Sequence, residues 1–242
     1  RLRSGDLGSM PVVVGLIIIW GVFYALNPAF LSSRNLVNLT LQMVPTGTIA
    51  IGIVLVLLLG EIDLSVGSVS GLAGAVLAVG FVHHGWTSGL AIGVALLVGV
   101  VIGVLYGLLF NRYGVPSFVI TLAGLLAFLG LQIKVLGKDG TINLSFNSDI
   151  VQFASQKFVP DVVAYLLVLL AVGASLAAKM VQGRKRVAAG LSATPTSVVL
   201  ARAGILAVIL LAAVYILGRD RGVSYMVLVF IALVVVMDLV IR

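Results

Sequence analysis

The sequence predicts an all-α protein, a polytopic transmembrane helical bundle with about eight membrane spans. Of its 242 residues, 61% are hydrophobic and only 10% are charged, a balance that soluble globular domains do not have. Its mean hydropathy is +1.26. Long uncharged runs alternate along the chain with short polar connectors, and these runs are long enough to cross the hydrocarbon core of a lipid bilayer.

Eight apolar segments are predicted to be the spans. They cover approximately residues 10–26, 36–59, 66–82, 90–110, 118–136, 162–180, 198–217 and 225–241. Ser32 or Ser33 is predicted to cap the second helix, because a hydroxyl oxygen accepts hydrogen bonds from the free amides at a helix N-terminus. The chain begins with Arg1 rather than Met and stops at Arg242 directly after an apolar run, so we expect it to be part of a longer polypeptide.

The basic residues predict how the spans are oriented. If the N-terminus is cytoplasmic, nine of the 15 Lys and Arg residues fall on the cytoplasmic side and six fall outside. The densest basic cluster, residues 184–186, is then a cytoplasmic loop, as the positive-inside rule expects. The residues predicted to be cytoplasmic are Arg1, Arg3, Arg112, Lys179, Arg184, Lys185, Arg186, Arg202 and Arg242.

Two carboxylates, Glu61 and Asp63, stand at the junction between the second and third spans. A charge near hydrocarbon costs free energy unless it faces protein, water or a helix end. Asp63 and Ser65 can both act as N-caps for a helix that begins near Val66, and Gly67 starts a small-residue face that permits close packing. The pattern therefore predicts either a capped, tightly packed return into the bilayer or a discontinuous helix whose polar break borders a transport path.

Two sets of polar side chains are candidates for a substrate path. On the second helix, Asn35 is followed at helical spacing by Asn38, Gln42 and Thr46, so that all four share one face. The fifth span places Thr121, Phe128 and Gln132 on one face, a combination that could contact a sugar through hydrogen bonds and ring packing. The alternative for both faces is ordinary interhelical hydrogen bonding and core packing.

The fourth span carries Gly99, Gly103 and Gly107, a doubled G-x-x-x-G pattern. A helix face without side chains lets a neighbouring backbone approach closely, so this pattern predicts helix packing rather than chemistry.

Several functions are disfavoured by what the sequence lacks. It contains no Cys, which excludes disulfides, thiolate nucleophiles and Cys-ligated metals. The adjacent His83 and His84 point about 100° apart on a helix, which is poor geometry for a shared metal ion, and we expect no metal site. There is no P-loop, no nucleic-acid-binding motif and no catalytic set at sensible spacing. We therefore expect that the chain is not an enzyme.

Residues 60–68 read GEIDLSVGS, and this stretch resembles the signature of permease subunits of bacterial ABC importers for monosaccharides of the ribose, galactose and xylose type. Residues 27–32 (NPAFLS) and 114–124 (GVPSFVITLAG) resemble the same family. The basic stretch at 183–186 with Gly190 and Leu191, followed by two further spans, is most similar to the xylose permeases. The likeness extends over essentially the whole chain.

The resemblance implies a permease subunit in the bacterial inner membrane that imports a monosaccharide, D-xylose above all. Residues 1–242 would be the N-terminal part of one transmembrane domain, which in the family continues into several more helices. The implied partners are a cytoplasmic ATPase subunit with nucleotide-binding domains, an extracytoplasmic sugar-binding protein and a second permease copy in a homodimer. The chain itself would bind no cofactor, and ATP would be used by the ATPase.

Two other function classes remain open from the residues alone. In an ion- or proton-coupled secondary transporter, Glu61 and Asp63 would be the coupling carboxylates. The third class is a membrane scaffold that transports nothing.

Overall fold

The computed structural model describes residues 10–192 and 194–241, and Arg1, Arg3 and Arg242 lie outside this part of the chain. Within it, every predicted span is helical, and no β-strand forms. The long helices are α1 (Met10–Leu26), α2 (Ser33–Leu58), α3 (Val66–Val82), α4 (Ser88–Tyr113), α5 (Ser117–Leu136), α7 (Asp161–Ala188), α8 (Thr196–Gly218) and α9 (Tyr225–Ile241). The hydrophilic segment before α7 contains the one-turn helix α6 (Asp149–Val151) and a π-helical turn, Gln152–Gln156.

Five of the described helices are long and apolar enough to cross a membrane: α2, α4, α5, α7 and α8. The helices α1, α3 and α9 are apolar but have 17 residues each, so their axes are only about 25 Å long against a hydrocarbon core of about 30 Å. The described residues therefore establish an all-helical protein with five candidate spans and three shorter apolar helices.

One boundary differs clearly from the prediction. The basic residues 184–186, expected in a loop, belong to the last turns of α7, which ends at Ala188. Lys, Arg, Gln and Ala are good helix formers, so the helix continues after the apolar run has ended. The cap of α2 agrees with expectation: Ser32 Oγ accepts a hydrogen bond of 3.3 Å from the amide of Asn35.

The described chain divides into two compact units, and α2 contributes residues to both. Unit 1 consists of the described residues up to Gln42 together with Phe158–Tyr225. Within it, α7 and α8 pack against each other as an antiparallel hairpin. At one end of the hairpin the Val159 amide donates to the Val223 carbonyl at 2.8 Å. The Asp161 carboxylate lies against Gly218, where an added Cβ would be 3.3 Å from Asp161 Oδ1.

Unit 2 comprises Met43–Lys157 and the described residues from Met226 onward, and its core is formed by α3, α4 and α5. Leu72, Ile102 and Tyr106 are buried at its centre. The helix α3 packs against both neighbours, and Phe230 of α9 lies against Gly47 of α2, where an added Cβ would be 2.5 Å from the ring. A side chain at Gly47 would therefore have to displace the Phe230 ring.

Candidate functional site

The polar break between α2 and α3 is a turn whose geometry depends on a glycine. Gly60 has φ +81°, a conformation that side-chain-bearing residues rarely adopt. Its amide donates to the Leu57 carbonyl at 3.0 Å, and the Glu61 amide donates to the Val56 carbonyl at 3.3 Å. These two bonds satisfy two of the carbonyls at the C-terminal end of α2, where no helical amide follows.

Asp63 organises the start of α3, but not in the way the sequence predicted. Its Oδ1 accepts two hydrogen bonds from Ser65, one from the amide and one from the hydroxyl, both at 2.7 Å. Ser65 is the N-cap residue, yet its side chain makes no hydrogen bond to the first amides of the helix. The carboxylate thus closes an Asx-turn one step before the helix, and α3 begins at Val66 as expected.

The backbone of Ile62, which belongs to no helix, is satisfied by side chains of α5. The Ile62 amide donates to Ser117 Oγ at 3.2 Å, and Thr121 Oγ1 donates to the Ile62 carbonyl at 3.1 Å. Backbone outside a helix lacks helical hydrogen bonds for its amide and carbonyl, and here α5 provides both partners. Thr121, predicted on a substrate path, is 1% exposed and has this structural contact.

Tyr106 of α4 completes the network. Its hydroxyl donates to Ser65 Oγ at 2.8 Å, and Ser65 is fully buried. The ring packs beside Phe128, with centroids 6.1 Å apart, and its hydroxyl lies directly against Gly124 of α5. A Cβ at Gly124 would collide with that hydroxyl oxygen, so the glycine is what lets the tyrosine reach the break. Tyr106 and Ser117 were not predicted as site residues; a hydroxyl-bearing ring inside the apolar, glycine-rich run of α4 was the available signal for Tyr106.

The hydrogen bonds of Ile62, Asp63, Ser65 and Tyr106 thus form one network at the break, and whether the break also borders a transport path stays a prediction. Each polar group described above has its partner within unit 2. Glu61 differs from Asp63: its side chain is partly exposed and makes no hydrogen bond or ion pair within residues 10–192 and 194–241.

The remaining candidate path residues are distributed over both units. Asn38 Oδ1 accepts a 2.6 Å hydrogen bond from Arg221 Nη2, within unit 1. Gln42 and Thr46 are exposed on α2, and Gln132 lies over Gly71 of α3.

Asn38 also lines a cavity of about 340 Å³ between the end of α1 and the start of α2. Two of the other polar side chains lining this cavity bind the local backbone: Asn27 accepts from the Ala29 amide, and Asn35 Nδ2 donates to the Phe30 carbonyl at 2.7 Å. The substrate path thus stays a prediction.

The glycine face of α4 has no neighbour within the described chain. A Cβ built at Gly99, Gly103 or Gly107 meets no atom of the described residues within 4 Å. The predicted close packing would have to involve something other than these residues, and it stays a prediction.

Comparison with known proteins places the break in a family context. The sequence model of a family described as "Branched-chain amino acid transport system / permease component" matches residues 35–217, which include the break and all of its partners. The xylose transport system permease protein XylH of Escherichia coli (strain K12) is 34% identical over 223 residues, covering 92% of this chain and 56% of that protein.

Two further relatives are similar over shorter stretches. The ribose import permease protein RbsC of Bacillus subtilis (strain 168) is 34% identical over 168 residues, covering 69% of this chain and 52% of that protein. The inner membrane ABC transporter permease protein YjfF of Escherichia coli (strain K12) is 30% identical over 138 residues, covering 56% of this chain and 42% of that protein. No solved structure matches the chain significantly.

The chain spans about half the length of the curated relatives it matches. The family match extends from the start of α2 almost to the end of α8, well over half of the chain. The chain therefore belongs to the family described as the permease component of branched-chain amino acid transport systems.

Proposed function

We propose that this chain is part of the permease subunit of an ATP-driven ABC importer that carries a monosaccharide, D-xylose above all, across the bacterial inner membrane. The observation that carries the proposal is the similarity to xylose and ribose permeases over most of the chain. The family's description names branched-chain amino acids, but the specific relatives are named for sugars, and we follow the specific relatives.

We propose xylose rather than ribose because the alignment with the xylose permease covers more of this chain. The xylose permease aligns with 92% of the chain, whereas the ribose permease aligns with 69%.

The membrane arrangement proposed for this function has eight spans and a cytoplasmic N-terminus. The short helices α1, α3 and α9 would cross with polar residues at their ends entering the headgroup layers. The contacts within unit 2 support the alternating direction of α3, α4 and α5 in this arrangement. The break before α3, the end of α4 and the start of α5 all meet at one end of the three-helix core.

The proposed partners follow from the same assignment. ATP would be bound and hydrolysed by a separate cytoplasmic ATPase, sugar would be delivered by an extracytoplasmic binding protein, and a second permease copy would complete the pathway. In this arrangement the sugar passes without chemical change, and the permease itself has no catalytic role.

The test is uptake of labelled xylose by cells that express the intact permease subunit with its ATPase and binding protein. We expect uptake that unlabelled xylose suppresses more strongly than ribose does, and that persists when the proton gradient is collapsed at constant ATP. Loss of uptake on collapse of the gradient would favour the coupled carrier that uses Glu61 and Asp63. Suppression by leucine instead of sugars would favour the substrate class in the family's description.

A further inference from the structure

A cavity in unit 1 lies between the last turns of α7 and the first turns of α8. It has a volume of about 550 Å³, and three of its lining residues are cations: Lys179, Arg186 and Arg202. A neighbouring cavity of about 450 Å³ shares Lys179 and adds Arg184. The first of these is named the basic cavity below.

The sequence places these cations together through helix spacing. Lys179 and Arg186 are seven residues apart, so they share one face of α7. The facing surface of α8 presents Val199, Arg202 and Leu206, again at helical spacing. Two helices paired as a hairpin thus direct three positive charges into one space.

The depth of each charge follows from the opposite end of the hairpin, where Asp161 of α7 lies against Gly218 of α8. At 1.5 Å per residue, Lys179 is about 27 Å along α7 from that end, and Arg202 is about 24 Å along α8. Arg186 is about 38 Å along α7. If the Asp161 end of the hairpin lies at the opposite surface of a hydrocarbon core about 30 Å thick, Lys179 and Arg202 lie within about 6 Å of the near boundary and Arg186 lies beyond it, in the headgroup layer.

The charges of the basic cavity have no ion-pair partner among the described residues. The sequence between Asp161 and Asp220 contains no Asp or Glu. Lys179, Arg186 and Arg202 make no ion pair within the described residues. Arg186 Nε donates a hydrogen bond of 3.2 Å to the Ser192 carbonyl. Positive charge at the edge of hydrocarbon is costly unless an anion or water compensates it.

The rest of the lining indicates which anion fits. Leu176 and Leu206 line the same cavity, and they lie closer to the membrane centre than the cations do. A free phosphate would use only the polar end of this space. A molecule that is anionic at headgroup depth and apolar below matches both ends.

We propose that the basic cavity binds an anionic phospholipid, with Lys179, Arg186 and Arg202 contacting its phosphate and Leu176 and Leu206 contacting the first carbons of an acyl chain. Basic pockets between transmembrane helices bind anionic headgroups in this way. The site is independent of the sugar, and it ties the hairpin of α7 and α8 to one leaflet of the membrane.

The test is native mass spectrometry of the intact permease subunit in detergent. Phosphatidylglycerol and phosphatidylethanolamine with identical acyl chains are added in equal amounts, and lipid retention is compared among variants. Arg186→Gln should lower phosphatidylglycerol retention about fivefold, the effect of one basic residue near an anionic headgroup. The matched control is Lys185→Gln, which removes the same charge from the next residue but does not line the basic cavity.

Arg186→Lys, which keeps the charge, should retain most of the binding, and the triple variant with Lys179, Arg186 and Arg202 all changed to Gln should lose selectivity for phosphatidylglycerol. A monodisperse elution profile establishes that each variant is folded. Equal retention in Arg186→Gln and Lys185→Gln would overturn the proposal. So would competition by millimolar inorganic phosphate, which would mean that the cavity binds free phosphate.

Discussion

Replacing Thr121 by Val tests whether α5 holds the break between α2 and α3. The two side chains have nearly the same shape, so the change removes the hydroxyl and leaves packing almost intact. Thr121 Oγ1 has a single proton to donate, which it shares between the Ile62 carbonyl at 3.1 Å and the Ser117 carbonyl at 2.9 Å. The Ser117 carbonyl keeps the helical amide as a partner, whereas the Ile62 carbonyl belongs to no helix. Only Ile62 is therefore left unsatisfied.

The expected loss of stability is about 1 kcal/mol. Interhelical hydrogen bonds in membrane proteins are worth about 0.6 kcal/mol on average and about 1.7 at most. A buried carbonyl without a partner costs about 1–3 kcal/mol. Thr121 is only 1% exposed, but Ile62 is 50% exposed and their hydrogen bond is partly buried, so the loss should lie near the lower end of the second range, at about 1 kcal/mol.

The assay is reversible unfolding of the intact permease subunit in mixed micelles, followed by circular dichroism. Thr48→Val is the matched control, because Thr48 Oγ1 donates at 2.8 Å to the Val44 carbonyl, which already accepts a helical amide. We expect the control to change stability by less than about 0.5 kcal/mol. An equal change in both variants would refute the role assigned to Thr121.

Three other predictions follow from the same structure. Asp63→Asn keeps a side-chain oxygen that can accept both hydrogen bonds from Ser65, so it should preserve most xylose uptake. Asp63→Ala removes that acceptor and should lose about 0.5–2 kcal/mol of local stability and more of the uptake. Equal loss of uptake in both variants would mean that the charge itself is required. Gly124→Ala should destabilise the subunit by about 1–3 kcal/mol in thermal unfolding, and Gly130→Ala on the same helix, where an added Cβ meets no atom of the described chain within 4 Å, should not; equal effects would contradict the packing described for α5. Because the chain has no Cys, Asp139→Cys should be labelled from outside intact cells and Lys185→Cys should not, and the reverse pattern would exclude the proposed topology.

The helices could be predicted from the sequence because each depends on local information. An uncharged run predicts a buried or membrane-embedded helix, and turn residues such as Gly60 and Gly114 mark where runs end. The end of α7 was predicted too early because the apolar run ends near residue 180. The residues that follow are good helix formers, so the helix continues through the basic residues to Ala188.

The network at the break could not be predicted, because its partners are distant in sequence. Tyr106 and Ser65 are 41 positions apart, and Ile62 is 55 and 59 positions from its two partners on α5. Periodicity places Thr121 on an interior face but cannot say which backbone group that face meets. From the sequence alone, a polar residue on such a face could therefore either line a substrate path or make a structural hydrogen bond.

The two carboxylates of the break now separate into different roles. Asp63 is used by the fold, since one of its oxygens accepts both bonds that position Ser65 before α3. Glu61 is not used within the described residues, although a lone carboxylate in hydrocarbon costs about 2.5–3.5 kcal/mol at a helix centre. An uncompensated Glu61 is therefore stable only at a membrane surface or against another molecule. The proposed topology places it at the cytoplasmic surface, the side on which the proposed ATPase binds. Its substitution should leave the break intact and affect contacts outside this chain.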